Sequence, residues 1–178
     1  MAIIVVGGGG RGAGKTALIC GLIRALPESR WTVVKVTMHA HGHSEPVFEE
    51  TVAGEQNDTG RYLAAGARRA LLVTAHEGGL EAIARKICED HAQQSHAIFE
   101  SNSVLRYVRP DLCLAVASDL KGGQKPSFEI VERCADATVA IGGHDHVIEG
   151  KRIHFHLRSL ERISAPMAAW LRERVPAS

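Results

Sequence analysis

Aromatic side chains make up only 4% of the 178 residues: four Phe, two Trp and two Tyr. So few rings exclude a stacking platform for single-stranded nucleic acid and predict a core built from aliphatic residues. Neither charge is in excess. The 21 Lys and Arg stand against 20 Asp and Glu, for a formal net charge of +1. A protein that coats nucleic acid non-specifically needs a strongly basic surface, so that class is excluded too. No apolar run approaches the roughly 18 residues needed to span a bilayer. The apolar start Ala2–Val6 is too short for a signal peptide and has no basic residues ahead of it. The four cysteines, Cys20, Cys88, Cys113 and Cys134, contain no C-x-x-C pair. Each lies in an apolar stretch and reads as a small buried hydrophobe in a reducing cytosol. These absences together predict a cytoplasmic protein with neither nucleic acid nor membrane as partner.

Hydrophobic residues reach 45% of the chain, and its length suits one domain that can bury a full core unaided. Residues 1–178 are therefore read as a single domain. Short apolar runs alternate with amphipathic segments. Strands are expected at Ile3–Val6, Trp31–Thr37, Ala70–Thr74, Ala97–Glu100, Leu112–Ala117 and Thr138–Ile141, with Arg152–Leu157 as a half-exposed edge strand. Helices are expected at Lys15–Leu26, Asp58–Ala67, Leu80–Ala92, Pro126–Ala135 and from Ala165 to about Arg174, the last capped by Ser164. Met38–Gln56 reads as a long loop or flap. Such alternation predicts an α/β fold with an open, mostly parallel central sheet, in which ligands sit at the strands' carboxyl ends.

The strongest motif is Gly9-Gly10-Arg11-Gly12-Ala13-Gly14-Lys15-Thr16, which matches G-x-x-x-x-G-K-[ST] in full. It follows a short apolar run and precedes an amphipathic one, as a phosphate loop requires. Glycines let successive backbone N–H groups turn inward around a phosphate, and the following helix adds the positive end of its dipole. In this reading Gly9, Gly10, Arg11, Gly12, Ala13, Gly14 and Ala17 line the phosphates of GTP or ATP. Lys15 reaches the β- and γ-phosphates, and Thr16 offers its hydroxyl to Mg²⁺. The motif predicts a three-layer P-loop NTPase fold. Arg11 is equally well read as a solvated side chain.

A carboxylate near the metal is expected at the end of a neighbouring strand. Glu100 ends the apolar run Ala97-Ile98-Phe99 and is preferred. Asp119, after Leu114–Ser118, suits contact with the nucleotide base or an opening loop, although Asp119-Leu120-Lys121 is not the N-K-x-D signature of GTPases. The base is thus left as guanine or adenine.

With this loop, the strand Val33–Thr37 with its histidine-bearing exit, the segment Asn57-Asp58-Thr59-Gly60-Arg61 leading into Ala65-Gly66-Ala67, and the run Leu71–Thr74, the chain resembles molybdopterin-guanine dinucleotide biosynthesis protein B. The resemblance covers most of the first half. It implies a GTP-binding, weakly hydrolysing homodimer that works with a molybdenum-cofactor biosynthesis partner. It places Glu100 near Mg²⁺, Asp58 at the metal or its water, and Arg61 toward an anionic ligand. The chain departs from the family after Glu100, where Ser101-Asn102-Ser103 replaces the usual glycine, and residues 122–178 carry no family motif. Lys15, Asp58 and Glu100 are the candidate catalytic residues, with Asp58 the first choice and Glu100 the second for orienting water. Thr16, Glu100 and Asp58 are the candidate metal ligands.

Two rival readings share the loop. His39, His41 and His43 alternate, which would aim three imidazoles to one side of an extended segment and suits a metal-delivery GTPase for nickel or zinc. A solvated histidine-bearing loop fits the same residues. His144-Asp145-His146 reads as a surface turn. A small-molecule kinase would need an acceptor pocket and an arginine lid, for which Arg106 and Arg109 are available. Arg158, Arg162, Arg172 and Arg174, interleaved with Glu161 and Glu173, read as a solvated helix face.

Overall fold

The computed structural model describes residues 1–39, 47–76, 78–91, 95–117, 126–142, 146–149 and 152–176. The chain begins with β1 (Ile3–Gly8), α1 (Lys15–Ala25) and β2 (Trp31–Met38). β3 (Phe48–Glu50), α2 (Asp58–Ala65), β4 (Arg69–Ala75) and α3 (Leu80–His91) follow. Next come β5 (His96–Glu100), a 3-10 turn at Ser103–Arg106, β6 (Leu112–Val116), α4 (Phe128–Cys134) and β7 (Ala137–Ile141). β8 (His146–Glu149), β9 (Arg152–Leu157) and α5 (Ala165–Arg172) complete it.

Among the described residues nine strands form one sheet in the order β3-β4-β2-β5-β1-β6-β7-β9-β8. Every pairing from β4 across to β9 is parallel. The outermost strands β3 and β8 pair antiparallel to β4 and β9. β1 lies in the middle and is wholly apolar up to its two glycines, as a strand covered on both faces must be. Because the central strands run parallel, their carboxyl ends share one edge, and the loop after Gly8 leaves from the centre of that edge.

Strand alternation sorts the core into two layers. Ile4, Val6, Val33, Ile98 and Leu114 face α1, α2 and α5, where they meet Leu18, Leu22, Tyr62, Met167 and Leu171. Val5, Val34, Val73 and Phe99 face α3 through Leu80, Ala84 and Ile87, and Cys113 and Ala115 meet Phe128 and Val131 of α4 on the same side. The architecture is three-layered, helix–sheet–helix.

Several expectations are corrected. Arg152–Leu157 is a strand but not an edge: β9 lies between β7 and β8, and the edge position falls to His146–Glu149, part of which was read as a turn. Met38–Gln56 contains strand β3, which pairs with β4 through Phe48↔Leu72. α2 stops at Ala65 because Gly66 takes φ +110°, and the N–H groups of Gly66 and Ala67 close back on Leu63 and Tyr62. The core is mostly aliphatic, yet Trp31, Tyr62, Phe99 and Phe155 are among its largest fully buried side chains. Cys20 and Cys113 are buried, Cys88 is half-buried and Cys134 is exposed. The arginine-rich tail is no single helix face: α5 ends at Arg172, and Arg158 and Arg162 precede it. Arg174 lies 4.5 Å from the Trp170 ring centroid. No helix among the described residues is long and apolar enough to cross a membrane.

Candidate functional site

The glycine loop bridges β1 and α1. Gly14 caps α1 at φ +91°, a left-handed conformation that L-residues adopt at a cost, and a Cβ there would lie 2.2 Å from Leu160 Cδ1. A larger residue at this position is therefore strained by the backbone, and the Leu160 side chain packed behind it must shift to admit it. Lys15 Nζ donates to the carbonyl of Gly10 at 3.0 Å, so the lysine folds over its own loop. Arg11 and Gly12 are exposed, Ala13 is buried, and Gly9, Gly10, Gly14, Thr16 and Ala17 are half-buried. The root of the loop is held by Asn102. Its side-chain oxygen accepts from Gly8 N and its amide donates to Gly8 O, both at 3.0 Å. The same amide donates to Ser127 Oγ at 3.2 Å.

Beside the loop the sheet register assembles a charged cluster. Parallel pairing sets Lys35 of β2 directly against Glu100 of β5, both on the face that carries α1 and α2. Glu100 is only 6% exposed. Its Oε2 accepts from Thr16 Oγ1 at 2.9 Å and from Tyr62 Oη, and its Oε1 accepts from Lys35 Nζ at 3.1 Å. Lys35 Nζ also donates to Asp58 Oδ2 at 2.5 Å. Asp58 is the first residue of α2, whose N-terminus is fixed by Asn57 Oδ1 accepting from Gly60 N. Asn57 is in turn held by Glu50 Oε2, while Glu50 Oε1 accepts from Thr51 N and Val52 N. Strand β3 thus anchors the segment that presents Asp58.

The electrostatics follow from this crowding. Burial alone would raise the Asp58 carboxyl, but hydrogen bonding and charge from Lys35 outweigh it and hold the group below the usual carboxylate range. Burial alone would depress Lys35, but Glu100 and Asp58 outweigh it and push the ammonium above its ordinary value. Tyr62 is pushed far up by burial first and by the Glu100 charge second, so its phenol remains a donor. Thr16 hydroxyl, Glu100 and Asp58 are hard oxygen groups on neighbouring elements, which is the donor chemistry Mg²⁺ takes. Among the described residues there is no cluster of three or more His, Cys, Asp or Glu suited to a metal. The oxygen set is instead two carboxylates and a hydroxyl.

Lys15, Thr16, Asp58 and Glu100 are brought together at one sheet edge. Arg61 lies among carboxylates of its own chain, at 2.8 Å from Glu161, 3.3 Å from Glu55 and 3.8 Å from Asp58. Asp119, His41, His43, His144 and Asp145 lie outside the described residues. His39 directly follows β2 and donates its N–H to Ala75 O. Sequence reasoning missed Lys35, Tyr62 and Asn102. Lys35 did carry a signal, as the one charge within Trp31–Met38, a run otherwise free of charged residues. Tyr62 and Asn102 carried none, since their partners lie 38 and 94 residues away.

A three-layer fold with a mostly parallel central sheet, whose central strand runs through a glycine loop into the first helix, defines the P-loop NTPase fold. No family model matches the chain, and no curated protein matches it. Among solved structures, the "apo" form of LpxK from Aquifex aeolicus, in complex with ATP, is similar with a TM-score of 0.53 and 18% identity. The similarity covers 86% of this chain and 53% of that one, so the chain spans about half the length of LpxK.

Proposed function

We propose that this protein binds a nucleoside triphosphate, GTP or ATP, together with Mg²⁺ on residues 9–17, and acts as a slow nucleoside triphosphatase or nucleotide-gated adaptor. The observation that carries the reading is the complete glycine loop set directly beside the Thr16–Glu100 hydrogen bond at the sheet's carboxyl edge. The ATP in the LpxK structure supports the same ligand class. Backbone N–H groups of the loop and the start of α1 bind phosphate oxygens, and Lys15 exchanges its bond to Gly10 for the β- and γ-phosphates. Thr16 and Glu100, with Asp58 beside them, hold Mg²⁺, which when bound neutralises phosphate charge. Asp58 is the leading candidate for orienting the attacking water. Positioning and charge neutralisation supply most of the rate in this chemistry.

We propose the role in molybdopterin guanine dinucleotide formation, a partner protein of that pathway and the homodimeric state on the resemblance of the first half of the chain, and the cytoplasmic setting on the scattered cysteines and the short apolar runs. The test is calorimetry with GTP and ATP, each with and without Mg²⁺, on the wild-type protein and on Lys15→Ala. Nucleotide affinity lost on Lys15→Ala is the expected result, and unchanged affinity would refute the phosphate-loop reading. ADP formation that depends on a small acceptor would assign the kinase reading in place of the adaptor.

A further inference from the structure

Lys35 occupies an unusual position for a lysine. It stands in an otherwise uncharged strand, its side chain is 23% exposed, and it bonds both carboxylates that the proposed function gives to the metal. Its ammonium is 2.5 Å from Asp58 Oδ2 and 3.1 Å from Glu100 Oε1. Glu100 fills its other oxygen with Thr16 and Tyr62. Two carboxylates gathered on one partly buried face repel each other and are poorly solvated, so a cation between them is needed to hold the arrangement. A divalent ion drawing on the same oxygens would meet the ammonium as a like charge at close range.

We propose that Lys35 is a resident counter-ion of the Asp58–Glu100 pair, which a divalent cation must displace in order to bind. This inference rests on the nucleotide·Mg²⁺ reading of the site. Its consequence is an obligatory order. With Lys35 in place, the nucleotide-free protein has little affinity for the free metal ion. The metal enters with the triphosphate, whose negative charge gives both Lys35 and Lys15 a new partner. Lys35 is then a specificity element as well as a structural one: it makes metal occupancy conditional on nucleotide.

The test uses Mn²⁺ as the probe and the full chain without nucleotide. Free Mn²⁺ is read by electron paramagnetic resonance for the wild-type protein, Lys35→Met and Lys35→Arg. Lys35→Met is expected to bind Mn²⁺ at least about tenfold more tightly than wild type, because the competing charge is gone and the carboxylates remain. Lys35→Arg keeps the charge and is expected to stay as weak as wild type. Thermal melting supplies a second readout. Mn²⁺ should raise the melting temperature of Lys35→Met more than that of wild type, and should fold the variant if it is unfolded without metal. Equal Mn²⁺ affinity of Lys35→Met and wild type would overturn the proposal. So would a variant that stays unfolded in millimolar Mn²⁺. Nucleotide binding by wild type is measured separately. If it is present while Lys35→Met shows no gain, the counter-ion role fails alone; if it is absent while the gain is seen, the nucleotide reading fails and the counter-ion role stands.

Discussion

Replacing Gly14 by alanine, alone and together with Leu160→Ala, probes how the C-terminal segment shapes the phosphate loop. Gly14 sits at φ +91°, and the left-handed region costs an L-residue about 1–2 kcal/mol. The added Cβ would also lie 2.2 Å from Leu160 Cδ1, well inside ordinary contact, and overpacking of this kind costs about 1–3 kcal/mol. Gly14→Ala should therefore destabilise the protein by about 2–5 kcal/mol. At about 3 kcal/mol the melting temperature of a chain this size falls by roughly 6–12 °C. Leu160 is 5% exposed and packs in the main core, so Leu160→Ala costs about 2–5 kcal/mol by itself. In the double variant the clash is gone and only the backbone strain remains from the first substitution. The combined loss, measured by urea unfolding, should fall short of the sum by about 1–3 kcal/mol. Additivity within about 0.5 kcal/mol would refute the reasoning, since it would mean that Gly14 and Leu160 do not compete for the same space.

Tyr62→Phe removes one donor from the buried Glu100 carboxylate and should cost about 1.5–3 kcal/mol in urea unfolding, the range for hydrogen bonds to charged groups; a change within experimental error would show that Tyr62 is merely packed there. His96 is 2% exposed, accepts from Ala2 N at Nδ1 and, among the described residues, has no partner for Nε2. Burial first, and the N-terminal ammonium second, hold its imidazole below the ordinary 6.5. The unfolded chain then takes up a proton that the folded chain refuses, so stability present above pH ~6.5 is lost as pH falls through the depressed value. Unfolding midpoints of wild type and His96→Gln recorded from pH 8 to pH 5 should diverge, with the variant less sensitive to acid. Parallel curves would assign the acid response to other groups.

The local features were legible because local chemistry determines them. The phosphate loop is eight consecutive residues whose glycines, lysine and threonine each have a backbone or ligand requirement that no neighbour supplies. Leu18, Ile19, Leu22 and Ile23 announce α1 by their spacing, and all four are buried. Ser164 reads as a cap, and its hydroxyl does accept from Met167 N. Glu100 ends an apolar run, and the structure places it at the end of β5. Boundaries drifted where a single backbone angle decides them, as at Gly66. The alternating polarity of Arg152–Leu157 suggests one open face and hence an edge, but strand order depends on what pairs with the strand and not on its own pattern.

Sequence alone determined the loop, the alternation of strands and helices, and the candidacy of Lys15, Thr16, Asp58 and Glu100. The loop, the alternation and the places of Lys15, Thr16 and Glu100 are properties of adjacent residues or of a short period, whereas Asp58 enters through the family resemblance. Tertiary structure decided which residues surround them. The β2–β5 register sets Lys35 against Glu100, α2 brings Tyr62 and Asp58 to the same carboxylate, Asn102 grips Gly8, and Leu160 closes behind Gly14. These are contacts between segments far apart in the chain. A strand's register is set by the burial of whole faces, so no window of sequence around Lys35 contains the carboxylates that give it a role.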